Sequence, residues 1–170
     1  MNELKEHSEK YRAKLKKTLD DLDSDKVQLL LDNIIECWKN NNTIYICGNG
    51  GSAGNANHIA NDLLYGAGLT NGIGIHIESL SVNPSVIKCL ANDVGYNKIY
   101  SEQIKVKGKK IDLLIVLSGS GNSTNVINAI EAAHKKQMNT FSLLGFDGGA
   151  SKKISKNYLH FNINDMQISE

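Results

Sequence analysis

Residues 111–137 read IDLLIVLSGSGNSTNVINAIEAAHKKQ, and their reading decides the fold. The opening, 111–117, is apolar apart from Asp112, as suits a strand buried on both faces of a parallel sheet. SGSGNS at 118–123 turns the chain, and a helix is predicted over 125–137. The same order of strand, small-residue loop and helix occurs upstream. TIYIC at 43–47 is β-branched and aromatic and predicts a strand. GNGG at 48–51 follows, and then a helix over 52–64. Further strands are expected at 73–77, 140–144 and 159–163, with glycine-rich turns at 66–74 and 145–149. Pro84 suits the first turn of a helix reaching Leu90. Another short helix is expected over 99–106, before a solvated basic loop at 107–110. Strands alternating with helices predict an α/β domain: a parallel sheet of about five strands with helices on both faces.

Upstream of the first strand the pattern is helical. Leu4, Tyr11, Leu15 and Leu19 recur at helical spacing among charges. Ser24 is the expected N-cap of a second helix whose apolar face carries Val27, Leu30, Leu31, Ile34 and Trp38. Asn40, Asn41 and Asn42 end it, since asparagine bonds its own backbone in turns. Residues 1–40 therefore form N-terminal helices without a partner in the α/β unit, 43–163, and their apolar faces are expected to pack on another copy of the chain.

With 170 residues, 41% hydrophobic and 22% charged, the composition is that of one globular domain. Lysine and arginine total 19 against 18 acidic residues, a net charge of +1, which argues against a nucleic-acid-binding face. Cys37, Cys47 and Cys89 are odd in number and form no C-x-x-C pair. That excludes a disulfide scaffold and a zinc ribbon, and fits reduced thiols in the cytoplasm. No apolar run approaches the roughly 20 residues of a membrane span. MNELKEHSEKYRAKLKK at the start is too charged for a signal peptide. No membrane association is expected.

Two small-residue loops between a strand and a helix lie where open α/β sheets bind ligands. Glycine lets the backbone approach an anion, and a helix N-terminus presents N–H groups and positive partial charge. Ser118, Ser120 and Ser123 add three hydroxyls. A phosphate compound is the expected ligand. A dinucleotide is one alternative: Gly48, Gly50 and Ala53 spell G-x-G-x-x-A, and Glu78 ends the second predicted strand, where such folds hold a ribose. The serine loop has no task in that reading, and no G-K-[ST] follows either glycine cluster, which excludes a P-loop. His58 and Asp62, four apart on a helix, share one face. They could grip a metal ion or simply pair with each other. The other histidines carry little signal. His7 and His134 are expected to be solvated, His76 to lie in a strand near a subunit boundary, and His160 to point outward from the last strand.

CGNGGSAGNANHIANDLL at 47–64, ANDVG at 91–95 and SGSGNSTNV at 118–126 resemble the sugar isomerase (SIS) domain family. Their order and spacing are similar to its phosphoheptose isomerase subfamily. The resemblance implies a flavodoxin-like sheet and a homotetramer. It also implies conversion of sedoheptulose 7-phosphate to D-glycero-D-manno-heptose 7-phosphate for surface polysaccharide. Carried across, it makes Asn49, Gly50, Gly51 and Ser52 a substrate-contacting loop, Asn92 and Asp93 a second sugar contact, and Ser118, Gly119, Ser120 and Ser123 the phosphate loop. His58 falls on a zinc ligand. Asp62 stands where isomerases of the family have a glutamate that is both zinc ligand and base. Aspartate is one methylene shorter, and a displacement of about 1 Å can cost about 100-fold in rate. The family continues past the last strand into a helix with a glutamine and a histidine that complete the site. Here that helix is expected to be absent, with Asp165 and Gln167 the only polar stand-ins, so that this chain binds sugar phosphate but turns it over poorly. One branch of the family, a replication-initiator-binding protein, lacks the catalytic acid, so a non-catalytic phosphosugar-binding module is the alternative function.

Overall fold

The apolar run after Asp112 forms β3 (Leu113–Ser118), buried along its whole length. Leu113, Ile115 and Leu117 face one core, and Leu114 and Val116 face the other. Two covered faces explain why the run does not alternate with polar residues. It starts two positions later than expected. Ile111 takes a left-handed φ of 75° and is 48% exposed, while Asp112 turns inward. The Asp112 carboxylate accepts N–H bonds from Thr43 (2.9 Å) and Lys109 (2.8 Å), tying the entry of β3 to the residue before β1 (Ile44–Cys47).

The computed structural model describes residues 2–169. With β2 (Ile77–Ser79), β4 (Asn139–Leu144) and β5 (Asn157–His160), these strands make one parallel sheet in the order β2-β1-β3-β4-β5. Ile46 pairs with Ile115, and Val116 with Ser142. On one face lie α2 (Ser24–Lys39) and α3 (Gly51–Asn61), which bring Ile34, Trp38, Ala56 and Ala60 against Ile44, Ile46, Ile115 and Phe141. On the other lie α5 (Pro84–Asp93), α6 (Ser101–Lys107) and α7 (Thr124–Lys135), with Ile87, Ile104, Val126 and Ile130 against Tyr45, Leu114 and Val116.

Several expectations are corrected. The second helix does have a partner within the α/β unit, because its apolar face covers the sheet. Helix α1 (Asn2–Asp20) leaves Leu4 and Leu19 of its stripe exposed, while Tyr11 and Leu15 are half-buried. Its Lys14 pairs with Asp165. Asp23, not Ser24, caps α2, accepting from the Asp25 and Lys26 amides, since a carboxylate is as good an N-cap as a hydroxyl. The glycine-rich stretch from 66 is not a turn. The helix continues through a π-helical turn (Asp62–Gly66) into α4 (Ala67–Asn71), and ends at Gly72 with φ 83°. The next residues pass against that helix, Ile75 N–H bonding Leu63 O, so β2 starts at Ile77 rather than Ile73.

Glu78 lies inside β2 and pairs with Lys107 Nζ, so Lys107 is no solvated loop residue and this acid is not offered to a ribose. The turn expected at 145–149 gives way at Gly149 to α8 (Gly149–Ile154), and β5 starts two residues before the expected 159–163 and ends at His160. One turn of helix, α9 (Met166–Ser169), stands where no C-terminal helix was expected. His134 is not solvated: it bonds Thr140 Oγ1 at 3.0 Å, and burial lowers its pKa. His160 bonds Lys152 and Phe146 O at 3.0 Å each, a local structural role. His76 precedes β2 and is exposed. Among the described residues, no helix is long and apolar enough to cross a membrane.

Candidate active site

From β1 the chain crosses to β2 on one side, while β3 and β4 continue the sheet on the other. The carboxyl ends of β1 and β3 are thus the point where the strand order reverses, and a crevice opens there. The loop after β1 enters α3 through Gly50, at φ 55° and ψ −123°, without a side-chain cap. The loop after β3 enters α7 at Ser123, whose hydroxyl makes no cap bond either. Two helix N-termini without capping side chains therefore converge on one crevice, an arrangement that attracts an anion.

Close packing shapes the second loop. Gly121 has φ 65°, and a Cβ there would sit 2.0 Å from Gly148 O. The Gly121 N–H bonds Ser118 Oγ at 3.1 Å, and Asn122 N–H bonds Ser120 Oγ at 3.2 Å. A serine hydroxyl has two acceptor lone pairs and one proton. Ser118 and Ser120 use acceptor capacity on their own loop, and their protons remain to be donated. Ser123 adds a third.

A pocket of about 100 Å³ is lined by Asn49, Ser52, Leu117, Ser118, Gly119, Ser120, Ser123 and Met166. It shares Ser52, Leu117 and Ser118 with a second of about 300 Å³, where Asn55, His58, Ile59, Leu143, Phe161 and Ile168 also stand. The fold thus brings together Asn49, Ser52, all four expected phosphate-loop residues and His58. Asp62 lines neither pocket. It lies one turn beyond His58 at the start of the π turn, with Oδ2 3.3 Å from His58 Nε2, and the side chains are 60% and 77% exposed. Gly50 and Gly51 shape the first loop without lining either pocket. Asn92 and Asp93 close α5 at the surface and likewise line neither. Asp165 is engaged with Lys14 and the amide of Gln167.

Asp93 accepts from Asn92 Nδ2 (2.8 Å) and Cys89 Sγ (3.3 Å), bonds that hold its carboxyl below the usual range. The same carboxylate raises the Cys89 thiol, while burial pushes Cys37 to about 11 and Cys47 to about 12. In a native disulfide-exchange assay at pH 8 we expect one reacting thiol, Cys89, and all three only after unfolding. Asp93→Asn removes the raising charge, so Cys89 should then react faster. Two thiols reacting at once in the native chain would contradict the burial of Cys37 and Cys47.

Sequence reasoning missed three residues that frame the crevice. Asn125 and Asn49 exchange two amide hydrogen bonds, both 2.8 Å. The Tyr96 and Tyr100 hydroxyls reach Asn49 Oδ1 at 3.2 and 3.3 Å. Asn125 lay inside the quoted SGSGNSTNV run. The tyrosines had no local signal, because only the tertiary fold brings them to the loop.

His58 and Asp62 are two donors, and among the described residues no group of three or more His, Cys, Asp or Glu comes together. A catalytic zinc takes three protein ligands. The described residues therefore do not make up a zinc site by themselves.

A family model described as SIS domain matches residues 8–145. Phosphoheptose isomerase of Helicobacter pylori (strain P12) is 40% identical over 145 residues, covering 85% of this chain and 74% of that protein. Phosphoheptose isomerase of Chlorobaculum parvum is 38% identical over 140 residues, covering 82% and 67%. The solved phosphoheptose isomerase of Neisseria gonorrhoeae superposes with a TM-score of 0.88 at 28% identity, over 99% of this chain and 89% of that one. The chain belongs to the SIS domain family, on its phosphoheptose isomerase branch.

Proposed function

We propose that this chain is a phosphosugar isomerase that interconverts sedoheptulose 7-phosphate and D-glycero-D-manno-heptose 7-phosphate. The observation that carries this reading is the pocket where the β1 and β3 loops meet, with its four serines, in a chain 40% identical to a phosphoheptose isomerase. The phosphate is placed against Ser118, Ser120, Ser123 and the N-terminus of α7, with Asn49 and Ser52 closing the other side on a loop that Gly50 and Gly51 shape. The carbon chain then runs into the larger pocket beside His58, which separates the phosphate from the reacting end of the sugar. Asn92 and Asp93 stay in the proposal as sugar contacts on family likeness alone.

Isomerisation moves one proton between adjacent carbons. A base takes the proton from C1 of the ketose, the electron pair forms a C1–C2 double bond, and the C2 oxygen takes up a proton. The protonated base then gives its proton to C2 of the enediol while the C1 hydroxyl gives up its own, which leaves an aldehyde at C1 and the base free again. Asp62 is the proposed base, oriented by its contact with His58; the remainder of the site stabilises charge at the two oxygens. Zinc on His58 and Asp62 is the family expectation. No step here runs through a metal, because those two donors do not complete its site. Homotetramer formation, with the exposed Leu4 and Leu19 of α1 as its support, belongs to the same proposal. So does a cytoplasmic place in the supply of heptose for surface polysaccharide, for which the free thiols and the family likeness speak.

Proton NMR of the chain with sedoheptulose 7-phosphate in D2O tests the reading. The expected result is an aldose anomeric signal and deuterium entering C1 of the remaining ketose. A folded chain that produces neither would overturn it.

A further inference from the structure

The two loops that meet at the crevice are joined by side chains as well as by the sheet. Asn49 belongs to the first loop, and Asn125 lies 76 positions later at the start of α7. Asn49 Nδ2 donates to Asn125 Oδ1, and Asn125 Nδ2 donates to Asn49 Oδ1, each at 2.8 Å. The orientation of the pair is determined by the backbone. Asn125 Oδ1 also accepts the Val126 N–H at 3.0 Å, a group that can only donate, so Nδ2 must face Asn49. Asn125 is 2% exposed, so its amide has no water to take the place of Asn49.

The far side of the pair is braced. Tyr100, 2% exposed, donates to Gly48 O and lies 3.1 Å from Ser81 Oγ and 3.3 Å from Asn49 Oδ1. Burial pushes its phenol to about 12, so it remains a donor across the physiological range. Tyr96 supplies a second hydroxyl to Asn49 Oδ1 at 3.2 Å. Asn49 Oδ1 therefore accepts from Asn125 and Tyr96, and among the described residues Asn125 is the side chain that links it to the phosphate loop's helix.

We propose that Asn125 is a positioning residue, whose paired amide with Asn49 locks the first loop to the phosphate loop, so that an anion bound at one loop orders the other. The proposal rests on the phosphate-site reading above. The lock sets the distance from the phosphate subsite to α3, which carries His58 and leads into the π turn that begins at Asp62. Losing it leaves the serine hydroxyls in place and misplaces the reacting end of the substrate, and a 1 Å error there costs about 100-fold in rate.

The test uses Asn125→Ala, Asn49→Ala and the double variant, each checked for folding by its thermal unfolding curve. Cutting the lock from either end serves if one variant does not fold. We expect kcat for sedoheptulose 7-phosphate to fall about 100-fold in each single variant, with KM within about threefold in Asn125→Ala, which touches no substrate, and no further loss of kcat in the double. A raised KM at unchanged kcat, or losses that multiply in the double variant, would overturn the proposal. Hydrogen exchange with inorganic phosphate supplies a readout that needs no turnover. Phosphate should slow exchange in residues 48–54 and 118–126 of the unaltered chain, and only in 118–126 of the variants. Equal protection of both segments in the variants, or of neither in the unaltered chain, counts against the lock. An unaltered chain that shows the exchange coupling without isomerising anything would sink the proposed activity and leave the lock standing.

Discussion

Asp62→Asn should lower turnover of sedoheptulose 7-phosphate by about 10²- to 10⁴-fold, the range that a positioned general base contributes. Asparagine keeps the size of the side chain and can still meet His58 Nε2, now 3.3 Å from Asp62 Oδ2, so α3 and the π turn stay in place. What disappears is the carboxylate lone pair that takes a proton from carbon. Affinity for inorganic phosphate, measured by calorimetry, should stay within about twofold, since separate sites contribute independently and Asp62 is not among the residues lining the serine pocket. Deuterium entry at C1 reports the same loss before any product accumulates. Turnover within threefold of the unaltered chain would place the base elsewhere.

The second large effect belongs to the phosphate loop. Ser120→Ala combined with Ser123→Ala should weaken binding of sedoheptulose 7-phosphate by at least about 100-fold. Each hydrogen bond to a charged group is worth about 1.5–3 kcal/mol, and about 1.4 kcal/mol is a factor of ten. Neither hydroxyl supports the fold strongly: Ser123 makes no cap bond, and Ser120 accepts one loop amide at 3.2 Å. Ser118 is left out of the pair because its oxygen holds the Gly121 N–H in a buried place, and removing it would loosen the loop as well. Calorimetry with the sugar phosphate decides the matter. Unchanged affinity would remove the phosphate from this pocket.

Most of the sheet was legible because its central strands are buried on both faces, which writes an uninterrupted apolar run such as LLIVL into β3. The edge was harder. Residues 73–77 look like a strand locally, yet the backbone there packs against the turn at Leu63 and Leu64, and a Cβ on Gly74 would sit 1.7 Å from Leu64 O. That contact exists only after α3 has continued into its π turn, which no periodicity reveals. The cap of α2 was misplaced by one residue because Asp23 and Ser24 are both good caps and only the geometry chooses. At the crevice, the glycines and serines announced themselves through their chemistry. Asn125, Tyr96 and Tyr100 did not, since their role lies in partners 76, 47 and 51 positions away. Glu78 shows the converse, an acid whose sequence position suggested a ribose and whose neighbour Lys107 engages it instead.

The sheet order also sets a timetable for synthesis on the ribosome. Strand β1 has its neighbours in β2 and β3, and the bond that ties the start of β1 to the entry of β3, Thr43 N–H to Asp112, spans 69 positions. At about 5–20 residues per second, the chain waits roughly 3–14 s between emergence of the two halves of that bond. During the wait IYIC lacks its central partner, and a nascent chain in that state offers an apolar strand edge to chaperones and to other chains alike. Slower translation through the codons for residues 48–112 would lengthen that exposure, and the fraction of newly made protein that aggregates should rise with it.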